Sequence, residues 1–332
     1  MRWMILVIAV LALFPSAAMA VSEGAPAALQ PLLTPSARAS AMGQAFVAVA
    51  DDATATYWNP AALARRYTPS LALMYSKLVP DLADDIGYYH FAYSRPGWGG
   101  SLGFSVIFLS FGKSTIVHDD GSSGGDFSSF DFVPQFSYGA NLNDRLALGF
   151  SFKFIYSKLA DPIPELAISD GTGKSIAGDI SALYSIPEVN VDIGAIFQNL
   201  GPNLAYNDED QAEDLPRALR LGAAWSPVIT SAAASDGTLL HQFLVTGEVT
   251  KPLVNADDEA IFKGGAEYEF YDFIALRFGY VDDSDGDITD FTYGAGFSLR
   301  RHAKIGLRFD FASFPQATDL DRVNRFALSY DF

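Results

Sequence analysis

Asp290-Phe291-Thr292-Tyr293-Gly294-Ala295-Gly296-Phe297-Ser298-Leu299 alternates without a break. Phe291, Tyr293, Ala295, Phe297 and Leu299 share one side, and Asp290, Thr292, Gly294, Gly296 and Ser298 share the other. Period-two alternation marks a β-strand with one apolar and one polar face. The same rhythm ends the chain at Phe326, Leu328, Tyr330 and Phe332, opposite Arg325 and Asp331. Working outward from these strands, about fourteen such stretches can be marked (69–78, 86–95, 100–111, 130–141, 145–158, 175–186, 189–198, 217–227, 239–251, 259–271, 273–282, 289–301, 303–312 and 323–332). An even number of two-faced strands predicts an all-β fold, a transmembrane antiparallel β-barrel with lipid outside and a polar lumen.

Composition agrees with a barrel. Hydrophobic residues make up 49% of the chain, a high share for a net charge of −17, and 26 Phe and 15 Tyr supply an apolar, aromatic exterior. No stretch supplies the roughly 18 apolar residues in a row that a membrane helix needs. Residues 1–20 read as a signal peptide, with Arg2, an apolar run from Ile5 to Phe14, and Ala18-Met19-Ala20 at the cleavage site. Residues 21–68 read as a separate, small-residue-rich segment, and residues 69–332 as the barrel. The chain has no cysteine, which removes thiolate metal sites and thiol nucleophiles.

Connections alternate in length. Short ones are expected at 96–99, 142–144, 187–188, 271–272 and 301–302, and long ones at 112–129, 159–174, 199–216, 252–258, 283–288 and 313–322, with 228–238 an exception. Short turns on one end and long loops on the other are an outer-membrane pattern, short to the periplasm. Acid gathers in or beside the long set, as in Asp282-Asp283-Ser284-Asp285-Gly286-Asp287. Asp283, Asp285 and Asp287 alternate there, but Gly286 falls between them, which departs from a calcium loop.

The polar faces carry both signs: Lys263, Glu267 and Glu269, then Arg277, then Lys304, Arg308 and Asp310. Lone charges in a dry core cost several kcal/mol each, so a lumen with cross-strand pairs among Glu267, Glu269, Arg277, Arg308 and Asp310 is expected. No catalytic constellation stands out, because His90, His118, His241 and His302 lie on scattered elements. Asp170-Gly171-Thr172-Gly173-Lys174-Ser175 imitates a phosphate loop but has Ile168 where glycine is required. The acidic balance and the lack of a basic patch exclude nucleic acid as a partner. Neither cofactor nor metal is expected, and the chain reads as a non-enzyme.

One block breaks the rhythm. Ala37-Arg38-Ala39-Ser40-Ala41-Met42-Gly43, followed by the run from Ala45 through Asp51-Asp52 to Tyr57-Trp58-Asn59-Pro60-Ala61, resembles the N-terminal signature of the PorV/PorQ family, within the FadL-like group of outer-membrane barrels. Phe197-Gln198-Asn199-Leu200-Gly201-Pro202, Leu215-Pro216-Arg217, Gly264-Gly265-Ala266-Glu267-Tyr268 and Leu276-Arg277-Phe278-Gly279-Tyr280 extend the likeness. Gln44 and Ala62 depart from it, at positions where relatives often carry glycine. The resemblance implies a fourteen-stranded barrel plugged by its N-terminal segment, with Asp51, Asp52, Trp58, Asn59, Pro60 and Ala61 in the plug. It also implies that the terminal Phe332 is read by the barrel-assembly machinery, and that the protein sits in the outer-membrane lipid of a Gram-negative-type bacterium. PorV-type members act in type IX secretion with secreted cargo proteins; FadL-type members carry fatty acids and other hydrophobic small molecules. Secretion or surface attachment of proteins is the expected function and hydrophobe transport the alternative, which expects an apolar pocket near residues 42–62.

Overall fold

A computed structural model describes residues 34–79, 85–117, 123–160, 171–206, 212, 214–227, 241–255, 257–300, 305–316 and 320–332. The leader at 1–20, the connection at 228–238, Asp119-Asp120, His118 and His302 lie outside the described residues. The described chain forms β1 (Ser70–Lys77), β2 (Ile86–Gly97), β3 (Gly100–Val117), β4 (Ser123–Asn141), β5 (Leu146–Ala160), β6 (Gly171–Ile186), β7 (Val191–Leu200), β8 (Ala218–Trp225), β9 (His241–Pro252), β10 (Ile261–Phe270), β11 (Ile274–Asp283), β12 (Ile288–Ser298), β13 (Leu307–Phe314) and β14 (Val323–Asp331). Each strand pairs antiparallel with its chain neighbours, and β1 closes on β14 from Ser70↔Asp331 to Ser76↔Arg325. Closure satisfies every edge, which a sheet in a bilayer requires because lipid offers no hydrogen bonds.

The faces are inverted relative to a water-soluble protein. On β5, Phe150 and Phe152 are more than half exposed, whereas Ser151 and Lys153 are buried. On β11, Ile274, Leu276, Phe278 and Tyr280 face out and Arg277 is buried between them. Outward rings touch from strand to strand: Tyr75 against Tyr89, Tyr89 against Phe108, Phe108 against Phe130, and Phe130 against Tyr156. Such a row is the aromatic girdle of a membrane barrel.

Two expected boundaries move. Residues 112–129 are not one long connection, because β3 runs on to Val117 and β4 begins at Ser123, with pairs from Lys113↔Ser128 to Val117↔Ser123. The glycine- and serine-rich sequence reads as loop, but a bulge carries the ladder across it. The register shifts between Ser110 and Lys113, where Gly112 takes φ +80, a left-handed conformation that costs glycine little. β5 and β6 likewise extend to Ala160 and from Gly171, so one side of the wall stands taller than the rest. The turn expected at 301–302 is longer, because β12 ends at Ser298 and β13 begins at Leu307. There the backbone N–H of Arg300 is held by Ser298 Oγ, and the Arg300 side chain leaves the strand direction to pair with Asp331. Other short turns are tight: Trp98-Gly99, between Gly97 and Gly100, and Tyr271-Asp272, in the three-residue turn between Phe270 and Ile274, all have positive φ, which suits the twist of the flanking strands.

Thr34 to Arg66 lies inside the ring. It includes α1 (Ala37–Ala41), α2 (Ala55–Trp58) and a 3-10 helix (Pro60–Arg65). Nearly all of its residues up to Ala64 are buried.

Candidate functional site

Residues 34–66 are bonded to the wall at successive strands. Ser36 caps α1, its hydroxyl accepting from Ala39 N. Small residues follow because the wall is close: Ala37 and Ala41 pack on Ala312 of β13. Gly43 then approaches β11 so tightly that a Cβ on Gly279 would sit 2.1 Å from Gly43 N. Its N–H donates to Thr292 Oγ1 (2.9 Å), while that hydroxyl donates to Ala41 O (3.0 Å). Gln44, which departs from the family signature, takes φ +61; a left-handed residue is where glycine is least strained.

Charges make the next contacts. Arg38 donates from Nε and Nη2 to both oxygens of Glu267 on β10 (2.8 and 2.7 Å) and from Nη1 to Asp51 (2.5 Å). Glu267 stands directly opposite Arg277 in the β10–β11 register and accepts from its Nε at 2.5 Å. Arg277 Nη1 lies 2.8 Å from Asp310 on β13, across Gly296 of β12, where a Cβ would collide with both side chains. Arg308 finishes the chain, with Nε 3.3 Å from Asp310 and Nη2 2.9 Å from Glu269. The structure thus joins Glu267, Glu269, Arg277, Arg308 and Asp310 in one array and ties it to the plug through Arg38 and Asp51. Bidentate, shielded guanidinium–carboxylate pairs are the strong form of this interaction.

A second anchor was not among the expected site residues. The buried Glu248 of β9 accepts from the backbone N–H groups of Phe46 (2.9 Å) and Val47 (3.0 Å) and from Arg220 Nε (2.7 Å). Arg220 in turn lies over the Trp58 ring, 4.5 Å from its centroid. An acid in phase with Thr246 and Thr250 on the polar face of β9 was the available signal. Asn59 ties the turn after α2 to two places at once, donating to Val47 O (2.8 Å) and Ala182 O (3.2 Å). Its Oδ1 accepts from Ala61 N, capping the 3-10 helix that Pro60 begins. Asp52 accepts from Thr54 N (2.7 Å) and holds the bend before α2.

Above this polar layer, towards the long loops, Trp58 packs with Phe46 and Tyr57 beneath the buried side chains of Tyr88, Leu109, Ile155, Leu204 and Leu215. Trp58 is fully buried. Below it, at the short-turn end, a cup of about 550 Å³ is lined by Asp51, Asp52, Arg65, Arg66, Glu269 and Arg308, among others. Phe332 lies at that same end, its N–H donating to Pro69 O (3.1 Å), apart from the plug array. No group of three or more metal-ligating side chains occurs among the described residues.

A family model for the type IX secretion system protein PorV matches residues 20–251. A search of the curated proteins found no match. Among solved structures, the chain is similar to the toluene transporter TbuX of Ralstonia pickettii, at 16% identity over 90% of this chain and 98% of that one, with a TM-score of 0.57. It is similar to the toluene transporter TodX of P. putida at 12% identity over 90% and 98%, TM-score 0.55. It is also similar to the monoaromatic hydrocarbon channel CymD at 12% over 89% and 97%, TM-score 0.55. At these identities the likeness shows the fold alone: a closed antiparallel β-barrel.

Proposed function

We infer the function from one premise: this chain belongs to the PorV family of type IX secretion system proteins. It acts in protein secretion, or in attaching secreted proteins to the cell surface, as an outer-membrane barrel of a Gram-negative-type bacterium. The observation that carries this reading is the family match across the plug and the first nine strands. The burial of nearly all of residues 34–64 inside the ring supports it. A barrel whose interior is occupied by Thr34–Arg66 works through its rims more readily than as an open aqueous pore.

In this reading residues 1–20 direct export, residues 21–68 form the plug, and Phe332 is the signal taken by the barrel-assembly machinery. Membrane lipid covers the belt of exposed Phe, Leu and Tyr. The short turns face the periplasm and the long connections face out. Secreted cargo proteins meet the outer rim, where β3 and β4 stand tallest. Asp51, Asp52, Trp58, Asn59, Pro60 and Ala61 serve the plug, and the array around Glu267 and Arg277 holds it in register. The barrel has no catalytic role and needs no cofactor.

Deleting the gene in its own organism tests this. Surface-anchored and released proteins should fall, with their precursors retained inside the cell. Normal release and anchoring would overturn the reading. Hydrophobe transport would need the packing around Trp58 to open, and stoichiometric binding of a labelled long-chain fatty acid to the purified protein would favour it instead.

A further inference from the structure

The ionic chain that holds α1 to the wall has two ends, and both surface in the same cup. Asp51 stands at one end and Glu269, with Arg308, at the other; all three line the 550 Å³ cavity. Between them run Arg38, Glu267, Arg277 and Asp310. Among the described residues lining the cup, five are arginines and seven are carboxylates. Each of those arginines is already engaged by an acid of this chain: Arg38 as above, Arg65 by Asp192 (2.9 Å), Arg66 and Arg300 by Asp331, and Arg308 by Glu269. Every one of these guanidiniums has a carboxylate partner, so its charge is balanced within the chain. Acceptor capacity is left over: the pairs above use Oδ1 of Asp51 and Oε2 of Glu269, and the Asp51 side chain is 60% exposed. A carboxylate has about four lone-pair sites, so both residues can accept more.

We propose that the cup receives a lysine- or arginine-rich extended segment of a periplasmic partner, whose cations compete with Arg38 for Asp51 and with Arg308 for Glu269 and so loosen α1 from the wall. This rests on the reading of the short-turn end as the periplasmic face. The cup's volume lies in the range of specific ligand pockets, and admits a few residues of extended chain rather than a folded domain. Its walls favour cations because the fixed positive charge is neutralised internally while carboxylate oxygens still face the space. The coupling follows from connectivity. α1 is only five residues long; besides its packing on Ala312 and the bonds from Thr292 Oγ1 to Ala41 O and from Arg325 Nη1 to Ser40 Oγ, it meets the wall through Arg38, its one charged residue. Groups in one salt-bridge network are energetically coupled: Arg308, displaced from Glu269, lies 3.7 Å from Glu267 and draws that carboxylate away from Arg38.

The test uses the full mature chain purified in detergent, with Trp98→Phe and Trp225→Phe so that Trp58 in the plug is the reporter. Hexalysine and hexaglutamate are titrated by calorimetry and by Trp58 emission. Hexalysine is expected to bind and to shift Trp58 emission to longer wavelength; hexaglutamate should do neither. Asp51→Asn with Glu269→Gln should weaken hexalysine binding about tenfold or more, from two half-shielded pairs. Asp272→Asn, on the exposed turn that also lines the cup, should weaken it several-fold even if the double variant does not fold. Asp283→Asn with Asp285→Asn, on the opposite rim, should change nothing. Absence of hexalysine binding, equal binding of both peptides, binding indifferent to the cup variants, or binding lost in the rim variant would overturn the site. Binding that leaves Trp58 emission unmoved would overturn the coupling. Secretion is read in cells and this binding in micelles, so either reading can fail alone.

Discussion

Towards the long loops, the lumen is closed by Tyr88, Leu109, Ile155, Leu204 and Leu215, all at most 1% exposed and packed in one cluster with Trp58. Towards the short turns, the same lumen holds Arg38, Glu267, Arg277, Asp310, Arg308 and Glu269 above an open cup. The two layers hold one plug by different physics. Apolar packing is non-directional and seals against water wherever surface is removed from it. Ion pairs are directional, so they fix which plug residue meets which strand, and a competing charge can exchange with them. The upper layer is therefore the seal and the lower layer the latch.

The largest expected effect attacks the second anchor at its buried acid. Glu248→Ala leaves Arg220 without its carboxylate and orphans two plug N–H groups, and should cost about 3–5 kcal/mol, measured by thermal unfolding in detergent. The outer face offers the next contrast. Arg277 is tolerated because it points into the lumen. Leu276→Arg places the same side chain one residue away on the apolar belt and should cost about 2–4 kcal/mol, read from equilibrium refolding into vesicles. Equal tolerance at 276 and 277 would break the assignment of faces. Gly279→Ala drives a methyl into the backbone of Gly43 without touching any charge. A loss of about 1–3 kcal/mol is expected, with limited proteolysis reaching the plug while the barrel stays intact. Asn59→Ala removes two plug-to-backbone bonds and a helix cap, for about 1–2 kcal/mol in the same unfolding assay. Asp192→Asn removes the charge paired with Arg65, in which both side chains are about a third exposed, while an amide oxygen can still accept from Ser185 Oγ; under about 1 kcal/mol should be lost, and less at high salt.

The wall was legible in the sequence because a strand's faces are a local property. Phe150 and Ser151, or Leu276 and Arg277, declare their sides by alternation alone. Glu267 and Arg277 could be expected to pair because adjacent hairpin strands joined by a short turn bring their polar faces together. Glu248 and Arg38 escaped for the opposite reason. Each finds its partner more than two hundred residues away in the chain, Glu248 at Phe46 and Arg38 at Glu267, and no local pattern encodes a contact between a plug and a wall. The heights of β3 and β4 escaped because Gly112, Gly124 and Gly125 with their serines look like a loop, whereas one bulge is enough to keep the ladder running. The cup could not be read at all, since it is space left between elements that are distant in sequence.

The absence of cysteine makes it directly testable that residues 34–66 lie inside the barrel and lock against its wall. Ala41→Cys on α1 and Ala312→Cys on β13 place two thiols at a packed plug–wall contact, close enough for a disulfide to be sought. The account predicts that mild oxidation of membranes cross-links most of the folded protein, seen as a mobility shift reversed by reductant, while Ala41→Cys with Leu221→Cys on the outer face does not cross-link. A folded barrel in which the Ala41–Ala312 pair fails to cross-link would contradict it.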